Sequence, residues 1–206
     1  MSAAIDFLRD SGFLSKEESP LIEALPGGVS SEIWRVDLPG GPVCVKRALP
    51  RLRVAQNWEA PIERNRYEHR WMEQAARAVP GAAPAVLASD DSAGLFAMQY
   101  LDPERHPVWK EHLRCGHADA GFAARVGAAL ASIHAATAKP EIAALFPTDA
   151  IFHAIRLEPY LLATARAHPD RAMALEKLVE TTAHTKLTLV HGDVSPKNIL
   201  VGRTRV

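Results

Sequence analysis

The 206-residue sequence has little cysteine: Cys44 and Cys115, in unlike contexts. Two such residues build neither a disulfide framework nor a thiolate metal site, so a reducing, cytoplasmic setting is the expectation. There is no excess of either charge, since Lys and Arg number 24, as do Asp and Glu. A balanced chain offers no electrostatic footprint for nucleic acid or an anionic membrane, and neither is expected as a partner. No apolar run approaches the roughly 20 residues that span a bilayer. The N-terminal MSAAIDFLRD carries an acid early and no basic segment before an apolar stretch, so it does not read as a secretory signal. Internal repeats and low-complexity tracts are missing. The histidines at 69, 106, 112, 117, 153, 168 and 184 lack metal-ligand spacing, and no zinc is expected.

What is present is an apolar fraction of 48%, enough for a sizeable core in one or two domains. Residues 3–11 read as a short amphipathic helix with Ala4, Ile5 and Leu8 on one side, closed by Gly12. Two strands, Ser31 to Leu38 and Pro42 to Ala48, flank the hairpin signal Pro39-Gly40-Gly41. Pro61 opens a helix that runs to about Ala78. Strands follow at Ala85 to Leu87 and Leu95 to Tyr100, joined by the turn-rich Ser89-Asp90-Asp91-Ser92. After Leu101-Asp102-Pro103 the pattern turns helical, over 119–138, 148–166 and 170–184, with Pro159 able to kink the second of these. The fold class expected is α+β, with residues 1–100 as a strand-rich lobe and 101–206 as a helical lobe.

The densest chemistry lies in LTLVHGDVSPKNILVG, residues 187–202. An apolar run, Leu187 to Val190, reads as a buried strand. It breaks into a polar knot, and Ile199 to Val201 then returns to the core. Asp193 after Gly192 can face a cleft and accept a proton from a substrate hydroxyl. Asn198, five residues on, offers a neutral hard oxygen suited to Mg²⁺. His191 can brace the loop through backbone hydrogen bonds. An isolated Asp and Asn at this spacing also fits a polar turn that caps backbone groups. A carboxylate base and a metal-binding amide on one loop are what phosphoryl transfer requires.

HGDVSPKN resembles the catalytic loop of the aminoglycoside phosphotransferase and choline kinase group, relatives of protein kinases. The His-x-Asp and the Asn five residues after the Asp all match. The resemblance implies a protein-kinase-like two-lobe fold, with an antiparallel sheet and one helix in the N-lobe and an incomplete helical C-lobe. It implies ATP and Mg²⁺, with Asp193 as catalytic base, His191 in the catalytic motif and Asn198 as metal ligand. Lys197 or Ser195 would touch the transferred phosphate. Upstream, Gly27, Gly28, Ser30 and Ser31 resemble a nucleotide-phosphate loop. Lys46, ending Val43-Cys44-Val45-Lys46, resembles the strand lysine that pairs with nucleotide phosphates. Its acidic partner would be Glu68 on the following helix, with Glu63 as the alternative. Met98, Gln99, Tyr100 and Leu101 resemble the hinge that reads the nucleotide base. Leu130-Ala131-Ser132-Ile133-His134 resembles the helix before the catalytic loop, with His134 structural.

The implied function is transfer of the ATP γ-phosphate to a hydroxyl of a small acceptor, such as an aminoglycoside, a choline-like molecule or a sugar. Val45 to Pro50, Arg51, Arg53, Trp58, Glu63-Arg64 and Met98 to Pro103 are also similar to methylthioribose kinases. Those kinases do not follow the loop Asp with Asn as this chain does. The family's second metal-binding Asp would come after the catalytic loop, and no acid follows Asp193 here. The chain therefore reads as C-terminally truncated. The alternative function is an inactive nucleotide-binding or interaction remnant of the same fold. The 206-residue chain is expected to bind nucleotide poorly and turn over little in an ATPase or kinase assay. Normal turnover would overturn that expectation.

Overall fold

A computed structural model describes residues 2–26, 30–53 and 58–202. The chain divides into two compact units, Met1–Ile133 with Val194–Val206, and His134–Asp193. The first contains helix α1 (Ser2–Asp10), strands β1 (Leu21–Ala24), β2 (Ser31–Leu38) and β3 (Gly41–Ala48), helix α2 (Arg64–Ala78), strands β4 (Val86–Asp90) and β5 (Leu95–Gln99), and helix α3 (Trp109–Arg114). Helix α4 (Ala120–Thr137) spans the division.

The strands form one antiparallel sheet in the order β1-β2-β3-β5-β4. The expected hairpin is in place, with Leu38 opposite Gly41 and Ser31 opposite Ala48. Gly41 closes its turn at φ 114°, a conformation costly for any residue with a Cβ. Strand alternation then sorts the side chains onto two faces. Trp34 and Val36, Val43 and Val45, and Leu95 and Ala97 form one apolar face, which packs against Ala4, Phe7 and Leu8 of α1 and against Leu14. Trp34 pairs with Val45 and Val45 with Ala97, so these residues form a row across three strands. Ile5, expected on the buried side of α1, is only partly buried, and Phe7 takes the central place. Gly12, at φ 77°, ends the helix as expected, with the Phe13 N–H donating to Leu8 O at 2.8 Å.

Strand β1 was not foreseen. It is a four-residue edge strand with Leu21 70% exposed, so it lacks the alternation that marks a strand in sequence. Strand β4 runs on to Asp90, beyond the expected Leu87. Asp90 itself makes the turn, its Oδ1 accepting from Ser92 N, Ser92 Oγ and Ala93 N at 2.9, 2.6 and 3.0 Å. Further on, Ile199 to Val201, expected to return to the core, is only partly buried and is held by backbone bonds: Trp109 N–H donates to Ile199 O, Val201 N–H donates to Pro107 O, and Val108 bridges Leu200.

The second unit is helical: α5 (Pro140–Ala143), α6 (Asp149–Phe152), a π-helical run (His153–Leu162), α7 (Ala163–Ala167) and α8 (Ala172–His184). Pro159 does not break the chain here. It has no N–H to donate and its ring crowds the carbonyl one turn back, and the wider π turn accommodates both. The expected buried strand at 187–190 is absent, which is a correction. Leu187 is 78% exposed and Val190 49% exposed. No strand lies beside this stretch among the described residues. It is tethered through a side chain instead: Thr188 Oγ1 donates to His134 O at 2.6 Å and shares a 2.8 Å hydrogen bond with Thr137 Oγ1. No helix among the described residues is long and apolar enough to cross a membrane.

Helix α2 is fixed to the β4–β5 turn by charge. Asp91 Oδ1 lies 2.9 Å from His69 Nε2, and Oδ2 lies 2.8 Å from Arg66 Nε and 3.5 Å from Arg70 Nη2. Burial pushes the Asp91 carboxyl up, but the His69 hydrogen bond and the charges of His69, Arg66 and Arg70 outweigh it and hold the group below its ordinary value. A carboxyl lowered in this way stabilises the fold above its unfolded-state pKa. That contribution is lost as pH falls through the folded-state value. Asp91→Asn should therefore lower the melting temperature at neutral pH and flatten its decline under acid. A mutant melting curve that falls with acid as steeply as the wild type would contradict this.

Candidate active site

The face of the sheet opposite α1 holds the lysine singled out from the sequence. Parity in β3 turns Val43 and Val45 toward α1, and so Cys44 and Lys46 toward α2. Lys46 Nζ donates to Glu68 Oε1 at 2.5 Å, with the lysine side chain 16% and the glutamate 36% exposed. Glu68, rather than Glu63, is the partner given by the geometry, because Glu63 precedes the first turn of α2. Lysine and glutamate together keep a charged amine aimed at one place on the sheet surface.

The start of α2 is held by unusual bonds. Arg64 donates from Nη2 to Ser30 O and Leu49 O, at 2.5 and 2.6 Å, and from Nη1 to Ala60 O and Pro61 O, at 2.9 and 2.8 Å. Asn65 is 2% exposed, and its Nδ2 donates to Gly94 O at 2.6 Å. Sequence reasoning missed both, although Arg64-Asn65 directly after the Pro61 turn was a signal. Ser30 is thus tied by its carbonyl, and Ser31 is buried. Gly27 and Gly28 lie outside the described residues. At the end of β5, Met98 is half-buried, and the Gln99 N–H is spent on Ala85 O at 2.8 Å. Arg35 lies over the Tyr100 ring, 5.0 Å from its centre, and Leu101 is half-buried.

In the second unit, Gly192 takes φ 76°, so the chain reverses sharply between His191 and Asp193. The Asp193 N–H donates to His191 Nδ1 at 3.2 Å. That bond needs Nδ1 unprotonated, which leaves the imidazole proton on Nε2. Asp193 Oδ2 also lies 3.6 Å from Arg156 Nη2 in the π-helical run. Arg156 was not singled out from sequence, and only Pro159 three residues on marked its neighbourhood. In the first unit, Pro196–Asn198 forms a single 3₁₀ turn, with Asn198 N–H donating to Ser195 O at 2.9 Å. Lys197 and Asn198 are exposed, and Ser195 Oγ is buried without a hydrogen-bond partner among the described residues. The geometry therefore joins Lys46 to Glu68 and His191 to Asp193, each pair within its own unit.

A model of the phosphotransferase enzyme family matches residues 21–206, a span holding both pairs. The chain belongs to that family. Its five-stranded antiparallel sheet with α2, followed by helices, is the α+β, kinase-like fold of this phosphotransferase family. A structure described as a fructosamine-3-kinase, from Thermobifida fusca YX-ER1, is similar at 21% identity and a TM-score of 0.47. The similarity covers 85% of this phosphotransferase-family chain and 60% of that one. A search of curated protein sequences gives no match.

Cys44 offers a probe of the Lys46 face. Burial pushes its thiol up to about 11, with Lys46 opposing and Glu68 reinforcing the shift. The thiolate is the reactive form, so Cys44 should be inert at neutral pH while exposed Cys115 reacts. Titration with a chromogenic disulfide should count one fast thiol in the folded chain and two after denaturation. Two fast thiols in the folded chain would place Cys44 elsewhere.

Proposed function

We propose that this chain carries the nucleotide-binding and catalytic-loop parts of a small-molecule kinase. The kinase would move the γ-phosphate of ATP to a hydroxyl of a small acceptor. The observation that carries this reading is the Lys46–Glu68 ion pair, on the face of β3 opposite the apolar core, in a chain of the phosphotransferase family. A phosphate-binding lysine must stay charged and aimed, and an acid on an adjacent helix does both. Gly27, Gly28, Ser30 and Ser31 would cradle phosphate, with Arg64 anchoring the Ser30 end of that loop. Met98, Gln99, Tyr100 and Leu101 would bracket the nucleotide base. No backbone hydrogen bond engages Tyr100 or Leu101 among the described residues, which leaves both with groups to offer.

Asp193 would accept the proton of the acceptor hydroxyl and point its oxygen at phosphorus. His191 would brace Asp193 through the backbone bond at Nδ1. Lys197 would lend charge to phosphate. The donor chemistry suits Mg²⁺. Among the described residues no three His, Cys, Asp or Glu side chains cluster as a metal cage, and Asn198, an exposed residue, would supply its amide oxygen. Mg²⁺ needs few protein ligands and keeps water and phosphate as the rest. When bound it would neutralise phosphate charge. The balanced net charge supports a small-molecule acceptor over nucleic acid or a membrane surface, and a cytoplasmic setting accords with the two free thiols.

MgATP titrated into the isotope-labelled chain should shift amide signals of β3 and α2. Lys46→Ala should weaken that binding by about tenfold or more, the scale of a lost charge-assisted contact. Asp193→Asn should leave it unchanged. Nucleotide binding of equal strength in Lys46→Ala would sink the reading.

A further inference from the structure

Arg156 faces the candidate base. Its Nη2 stands 3.6 Å from Asp193 Oδ2, and both side chains are 27% exposed. That separation is an ion contact, too long for a hydrogen bond. Among the described residues Arg156 has no other polar partner. A guanidinium has five N–H donors in a rigid fork, so this one holds its hydrogen-bonding capacity in reserve. The other pairs of the unit differ. Arg166–Glu158, Lys177–Glu180 and Arg171–Asp170 are each closer, at 2.5 to 3.1 Å, and sit on exposed side chains. Lys186 and Asp149 are likewise closer and exposed.

Two further observations set Arg156 apart. It lies inside the π-helical run His153–Leu162, a geometry that is rare and gathers at functional sites. It also walls the loop backbone: a Cβ built on Gly192 would lie 3.7 Å from Arg156 Nε and 3.6 Å from Phe152 Cε2. The guanidinium is thus held beside Gly192 and the Asp193 carboxylate.

We propose that Arg156 is an oxyanion-binding residue, exchanging Asp193 for phosphate or carboxylate oxygens of a group that arrives beside the base. The proposal rests on the kinase reading of Asp193. The exchange is favourable because a half-exposed ion contact is weak, whereas a bidentate, charge-assisted pair is strong. It also moves the guanidinium from the Asp193 carboxylate to the arriving oxyanion at the moment a hydroxyl must be oriented. The oxyanion has two sources: an anionic group on the acceptor itself, or the phosphoryl group in transit. In either case a guanidinium at this place disfavours an ammonium or quaternary cation next to the base.

The test is a titration of the full labelled chain, read at the amides of Gly192 and Asp193. Inorganic phosphate should shift both saturably, and choline should not. Arg156→Gln should weaken phosphate binding by about tenfold or more, and Arg156→Lys should keep part of it. Tighter binding of glycerol phosphate than of inorganic phosphate assigns the site to an acceptor anion. Equal or weaker binding of glycerol phosphate assigns it to the phosphoryl group. The inference is overturned if phosphate gives no saturable shift, if Arg156→Gln leaves the shift unchanged, or if choline moves these amides as phosphate does. MgATP shifts on β3 and α2, recorded on the same sample, report the kinase reading separately, so either claim can fail without the other.

Discussion

The contact between Lys46 and Glu68 ties the central strand to α2, and much of the first unit is arranged around it. A lysine only 16% exposed has given up most of its water. The Glu68 carboxylate stands beside it in place of that water. The pair therefore requires α2 to hold its place against the sheet. Apolar packing does little of this, because the buried residues of α2 are Asn65, His69 and Ala75. Directional bonds do it instead: four carbonyls around Arg64, Gly94 O against Asn65, and Asp91 against His69.

The two faces of the sheet thus have different physics. Under α1 the contacts are apolar and non-directional, and they supply bulk stability. Under α2 they are polar, and each bond specifies one geometry more than it adds free energy. Phe96 adds an apolar contact there, fully buried with its ring 5.8 Å from that of His69. A helix held mainly by hydrogen bonds and ion pairs responds to charge. That is a fitting support for a side chain whose proposed partner is a phosphate.

Most of this was legible in the sequence wherever a local rule was strong. Pro39-Gly40-Gly41 located the hairpin, and Lys46 stood out by its place at the end of Val43-Cys44-Val45. Glu68 could be preferred over Glu63 because apolar residues follow it. What escaped had no local signal. Strand β1 is short and exposed, and it forms because β2 offers an edge. Leu187 to Val190 has strand-like composition, but among the described residues no strand pairs with it, and composition cannot reveal that. The four carbonyls around Arg64 come from residues 30, 49, 60 and 61, a convergence visible only after folding.

Arg156 escaped for a related reason, and its case shows how the loop is built. In a regular α-helix, residues three and four apart share a face. Over 153–162 the turn is wider, so the sequence spacing misstates which residues look the same way. Pro159 is the local cause, since the missing N–H and the ring both oppose a regular turn there. The same stretch holds Arg156 beside Gly192, whose left-handed backbone swings Asp193 past the His191 ring. A proline on one segment and a glycine on the other therefore bring a guanidinium, an imidazole and a carboxylate together. Neither residue carries any of the chemistry, and the meeting of the three depends on both.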